Sequence, residues 1–100
     1  MRDNKLLDLK SALQEVDHRL KLFPSDMGLW IKKFETLRAL GEPEKAAATL
    51  LVIDEIETDK GRKVHVLELL TEICTDQKLY ELGYIGAKRL INLEPKSVRA

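Results

Sequence analysis

Apolar residues recur at three- and four-residue intervals along almost the whole chain, and no stretch sustains a period of two. The pattern therefore predicts helices and no strands. The first runs from about Lys5 to Leu22, with Leu6, Leu9, Leu13, Val16 and Leu20 on one stripe, and stops before Pro24. Ser25 or Asp26 can cap the second, whose stripe is Trp30, Phe34 and Leu37 and whose stop is Gly41. Pro43 fits the first turn of a third helix, about Pro43 to Glu57, where its missing N–H costs nothing. A loop from Thr58 to Gly61 leads to a fourth helix, about Arg62 to Thr75, with Val64, Leu67, Leu70, Ile73 and Cys74 apolar. Asp76 can cap the fifth, about Lys78 to Leu93, which ends before Pro95. The expected fold is all-α, five helices with short connections and hence antiparallel neighbours.

The helices also repeat. Ala12, Val16 and Pro24 are matched 34 residues later by Ala46, Leu50 and Thr58, and these again 37 residues later by Gly83, Ala87 and Pro95. A period of this length marks a stacked helical-hairpin array, here about two and a half repeats. Small side chains at Ala12, Ala46 and Gly83 fall where paired helices would cross most closely. One domain over residues 1–100 is predicted, divided into a capping helix at 5–24, a first hairpin at 26–58 and a second at 62–95.

At these positions the chain resembles the tetratricopeptide repeat (TPR) family as a degenerate member. Trp30, Gly41, Ala46, Tyr80, Gly83, Pro24 and Pro95 fit its pattern, whereas Lys33-Phe34 stands in place of Leu-Gly, Leu37 in place of Tyr and Thr58 in place of one Pro. Trp30 and Glu35 are also similar to signals of the half-TPR repeats of RNA-processing scaffolds. The resemblance implies a right-handed superhelix, an α-solenoid, in which the first helix of each hairpin lines a concave peptide groove. Carried over, Ile31, Glu35 and Arg38 would face it from one hairpin, and His65, Glu68, Glu72 and Asp76 from the next. Helical spacing agrees, because these residues lie off the apolar stripes. Such a mildly acidic floor would favour a partner bearing Lys or Arg. The family's clamp for chaperone C-terminal carboxylates is not expected, since Ile31 and Glu35 occupy its key positions. The alternative is that these carboxylates simply solvate a helix face.

Composition narrows the function classes. The 17 basic and 17 acidic residues cancel, giving no electrostatic reason to expect nucleic acid or an anionic membrane as partner. The lone Cys74 cannot form an internal disulfide, the N-terminus is too polar for a signal peptide, and no apolar run reaches membrane-span length. A cytoplasmic setting is expected. Catalysis is not: Cys74 and His65 lie nine residues apart on opposite sides of one helix, about 13 Å along its axis, and form no dyad. His65, Glu68 and Glu72 share a face but lack the second Glu-x-x-His copy and the further carboxylates of a di-iron bundle. Cys74 and Trp30 read as core residues and His18 as exposed; no cofactor is implied.

The two ends differ. In the first helix Leu6, Leu9, Ala12, Leu13, Val16, Leu20 and Phe23 fill an arc of about 120°, as in a solenoid cap with one face buried. In the fifth, apolar and small residues span roughly 200°, leaving Lys78, Glu81, Lys88, Arg89 and Asn92 as a narrow polar strip. That arc is too wide for the fourth helix alone, so Leu82, Tyr84, Ile91 and Leu93 are candidates for an end-to-end interface, including a weak homodimer through this helix. Two function classes follow. One is a non-enzymatic protein-binding adaptor or chaperone-like scaffold, and the other a structural segment of a longer solenoid or assembly subunit.

Overall fold

The computed structural model describes residues 2–93; the third repeat's Pro95 lies outside them. They form five helices, α1 (Arg2–Leu22), α2 (Met27–Ala39), α3 (Pro43–Ile56), α4 (Lys60–Gln77) and α5 (Tyr80–Leu93), each packed on the next in sequence.

Local chemistry sets most boundaries. Asp26, rather than Ser25, caps α2, its carboxylate accepting the Leu29 N–H at 3.2 Å. The Trp30 indole N–H donates to the Pro24 carbonyl at 2.7 Å and ties the preceding turn to the helix. At the other end Gly41 takes φ 75°. The Glu42 N–H then reaches the Leu37 carbonyl at 3.0 Å and the Gly41 N–H the Arg38 carbonyl at 3.1 Å. This pair of bonds is a Schellman motif, which satisfies carbonyls the helix end would otherwise orphan. Pro43 follows in the first turn of α3.

Two expected boundaries move. Helix α4 starts at Lys60 because Asp59 caps it, accepting the Arg62 N–H at 2.9 Å. It ends at Gln77, so Asp76 belongs to its last turn and does not cap α5. The stop is a second Schellman motif built on Lys78 at φ 57°, with the Leu79 N–H on the Cys74 carbonyl at 2.8 Å.

The core lies around α3. Ala46, Ala47, Leu50 and Ile53 from that helix meet Phe34 and Leu37 of α2 and Leu67, Leu70, Ile73 and Cys74 of α4. Close helix approach explains the small residues of the second hairpin: a Cβ on Gly83 would lie 3.1 Å from Cys74 Cβ, and one on Gly86 would lie 2.7 Å from Leu70 Cδ2. Gly86, which the repeat pattern does not single out, is thus the tighter position. Buried among apolar neighbours, Asp54 of α3 receives Arg89 of α5 at 3.0 Å and Lys63 of α4 at 3.2 Å. Arg89 also donates to the Leu51 carbonyl at 3.2 Å. Arg89 therefore leaves the polar strip predicted for α5 and joins three helices through one carboxylate.

The first helix buries less than its pattern predicts. Val16 and Leu20 are buried, but Leu6 is 44% and Phe23 61% exposed. Helix α1 has 21 residues and α2 only 13, so at 1.5 Å per residue the early turns of α1 run past the end of its neighbour. The 120° arc is covered mainly in its second half.

Candidate functional site

Between α2 and α4, with α3 as the floor, runs a groove of about 450 Å³, within the size range of ligand pockets, roughly 300–1,000 Å³. Met27, Ile31 and Phe34 line one wall, Val66 and Leu69 the other, and Leu50 and Ile53 lie at the base. Both walls are amphipathic helices whose apolar stripes cover α3 and continue past it. Ile31, at the mouth, is 43% exposed.

Polar groups confine themselves to the rim. Glu35, Arg62 and His65 stand on the two walls, and Glu57 and Asp59 close one end. The latter two are engaged locally: Glu57 accepts the N–H groups of Thr58 and Asp59, both at 3.1 Å, and Asp59 caps α4. Farther along the same pair of helices a second hollow of about 260 Å³ is lined by Arg38, Gly41, Pro43, Ala46, Ile73, Asp76 and Gln77. Arg38 lies 5.8 Å from the Phe34 ring centre, within cation–π range.

Of the seven predicted groove residues, Ile31, Glu35 and His65 line the larger hollow and Arg38 and Asp76 the smaller. Glu68 and Glu72 are exposed on α4 and line neither. Among the described residues Glu35, Glu68, Glu72 and Asp76 form no ion pair. Sequence reasoning missed Arg62 and Leu69. Their spacing from His65, three residues before and four after, places all three on one helix face and was the available signal.

A different cleft, of about 430 Å³, lies across α1, α2 and α3 beside Trp30. Two of its charged groups are paired with each other: Lys33 bridges to Asp17 at 2.8 Å and sits 5.5 Å from the Trp30 ring centre. Cys74 lies in the core, where desolvation pushes its thiol pKa up, away from the reactive thiolate. Among the described residues no group of three or more His, Cys, Asp or Glu side chains could hold a metal ion, and no helix is long and apolar enough to cross a membrane.

On α5 the predicted interface residues separate. Leu82 and Leu93 are half-buried against the core, because the inner arc of the helix packs on α4 and also touches α3. They therefore present less free surface than the wide apolar arc predicts. Tyr84 and Ile91 remain 67% and 48% exposed, joined by Tyr80 at 74%. The chain matches no protein-family model, no curated protein and no solved structure with which it was compared.

Proposed function

We propose that this protein is a non-enzymatic interaction module, adaptor or chaperone-like, in which a TPR-like array of helical hairpins holds a peptide or helix of a protein partner between α2 and α4. The observation that carries the reading is the groove itself. Its base and walls are apolar, its mouth leaves Ile31 in water, and its charged groups stand at the rim. An apolar channel with a polar border is the anatomy of a protein-binding surface. At the rim of the groove the carboxylates of Glu35, Glu57 and Asp59 outnumber the one guanidinium group, that of Arg62. Partners carrying Lys or Arg beside apolar residues are therefore favoured over acidic ones, nucleic acids or anionic membranes. Reducing intracellular compartments, the cytoplasm first, suit the single buried thiol.

A peptide array tests this directly. Hits should be enriched in Lys and Arg flanking apolar residues. Glu35→Lys, an exposed rim position in no ion pair among the described residues, should weaken their binding without altering the fold, since exposed helix charges contribute only about 0.3–0.5 kcal/mol per pair. Hits without basic enrichment, or no hits, would sink the acidic-groove reading. A second reading, a structural segment or assembly subunit associating through its last helix, draws support from the exposed Tyr80, Tyr84 and Ile91 on α5.

A further inference from the structure

The outer face of α5 complements itself. Tyr80, Tyr84 and Ile91 are exposed and lie within about 40° of one another around the axis, as an apolar stripe. Glu81 and Lys88, both exposed, stand on the far side of Tyr84 about 20° apart, and neither forms an ion pair among the described residues. The midpoint between Glu81 and Lys88 falls between Tyr84 and Ile85. The midpoint between Tyr80 and Ile91 falls one residue farther on, about 1.5 Å along the axis. Opposite charges and apolar side chains are thus both placed symmetrically about nearly the same point.

We infer that α5 pairs antiparallel with α5 of a second copy, about a two-fold axis through that point. The pairing sets Glu81 opposite Lys88 of the other copy, twice over, with Tyr84 beside Tyr84 at the centre and Tyr80 near Ile91 on either side. The chain's own repeat shows why a helix belongs there. The 37-residue shift that matches Ala46 with Gly83 also matches Ala47 with Tyr84 and Asp54 with Ile91. On α3 both positions are buried, with α4 packed on α3 and its Lys63 on Asp54. Between α4 and the α5 stripe a hollow of about 460 Å³ remains open, lined by Cys74, Leu79 and Gly83 as well as by Tyr80 and Tyr84. Charge order selects the occupant. A helix lying antiparallel must carry a cation opposite Glu81 and an anion opposite Lys88, seven residues apart, and α5 itself does. The net charge of zero puts no overall repulsion between copies. Because the same face serves both copies, association closes at two chains. A single pair of helices of 14 residues buries less than the roughly 1,200 Å² at the lower end of stable interfaces, which places the affinity in the high-micromolar range. This inference gives the second reading its partner and geometry, and it is independent of what the α2–α4 groove binds.

Sedimentation equilibrium of the full chain from micromolar to millimolar concentration tests the pairing. Wild type should rise in average mass and level off at twice the chain mass. Tyr84→Glu with Ile91→Glu should leave a monomer, with Kd raised about ten-fold or more. Glu81→Lys sets two cations against each other at both ends of the pair, and Lys88→Glu sets two anions; each alone should weaken the dimer about five-fold. An equimolar mixture of these two variants, or both exchanges combined in one chain, should restore wild-type affinity. All four positions are exposed, so circular dichroism should show every variant folded, and if the Tyr84 and Ile91 variant is not, the charge exchanges carry the test. A monomer throughout, a mass that climbs past two chains, or charge exchanges that leave the dimer unchanged would each overturn the inference. The groove is read separately. Glu35→Lys should dimerise as wild type does, and the Tyr84→Glu, Ile91→Glu chain should still capture basic peptides on the array, so loss of the dimer leaves the groove's function standing.

Discussion

Replacing Asp54 by Asn keeps the shape of a buried side chain and removes its charge. Asp54 is 4% exposed and accepts two cations, Arg89 at 3.0 Å and Lys63 at 3.2 Å. Breaking a buried pair by removing one partner costs about 3–5 kcal/mol when the other charge is left uncompensated. Here the abandoned cations are not sealed in. The Lys63 and Arg89 side chains are 22% and 34% exposed, and both keep backbone acceptors, Arg89 at Leu51 and Lys63 at Asp54 and Glu57. Water and these carbonyls recover part of the loss, so Asp54→Asn should destabilise by about 2 kcal/mol rather than the full amount. Urea unfolding followed by circular dichroism would read this as a midpoint lowered by about 1 M at an unchanged slope of roughly 2 kcal/mol per M. A double-mutant cycle with Arg89→Gln should give a coupling above about 0.5 kcal/mol. The midpoint should respond weakly to added salt, since partly buried pairs are screened less than exposed ones. An Asn variant within about 0.5 kcal/mol of wild type, the range of ordinary surface substitutions, would refute the idea that this carboxylate joins the three helices.

Gly86→Ala should lose about 1–2 kcal/mol despite the better helix propensity of Ala, because its Cβ would fall 2.7 Å from a Leu70 side chain that is fully buried and cannot swing away. Gly83→Ala, with 3.1 Å to Cys74 Cβ, should cost less, and thermal melts would check the order. Lys78→Gly should stabilise by about 1 kcal/mol in the same melts, by relieving the left-handed backbone at φ 57°. Burial raises the Cys74 thiol pKa, so the native state retains a proton that the unfolded chain releases. Stability should therefore fall as pH rises past the unfolded thiol value of about 8.5, and Cys74→Ala should flatten that alkaline slope in denaturant titrations at stepped pH.

The helices themselves were legible because their signals are local. The Asp26 cap, the left-handed Gly41 and Pro43 in the first turn act within three or four residues of where they stand. Asp76 and Asp59 show the limit of that reasoning. Either Asp can cap a following helix, but the buried Ile73 and Cys74 carry α4 on past Asp76, and Asp59 takes the role one turn before α4 was expected to begin. The resemblance to the repeat family implied a groove, and helical phase agreed with it only in setting Ile31, Glu35 and His65 off the apolar stripes. Phase alone did not tell that Glu68 and Glu72 would stand outside the hollow while Arg62 and Leu69 entered it.

From residue order alone came the all-α class, the number of helices and the faces they present, because amphipathic periodicity and caps are properties of neighbouring residues. Tertiary packing decided what long-range partners decide. Asp54, an acid in an apolar run, is held by cations nine and 35 residues away. Leu82 and Leu93 turn inward where an open interface was expected, while Tyr80 stays out. Leu6 is left in water because α2 is shorter than α1. In each case the side chain's own chemistry permits burial or exposure, and the choice depends on which distant helix arrives at contact distance and how far that helix extends.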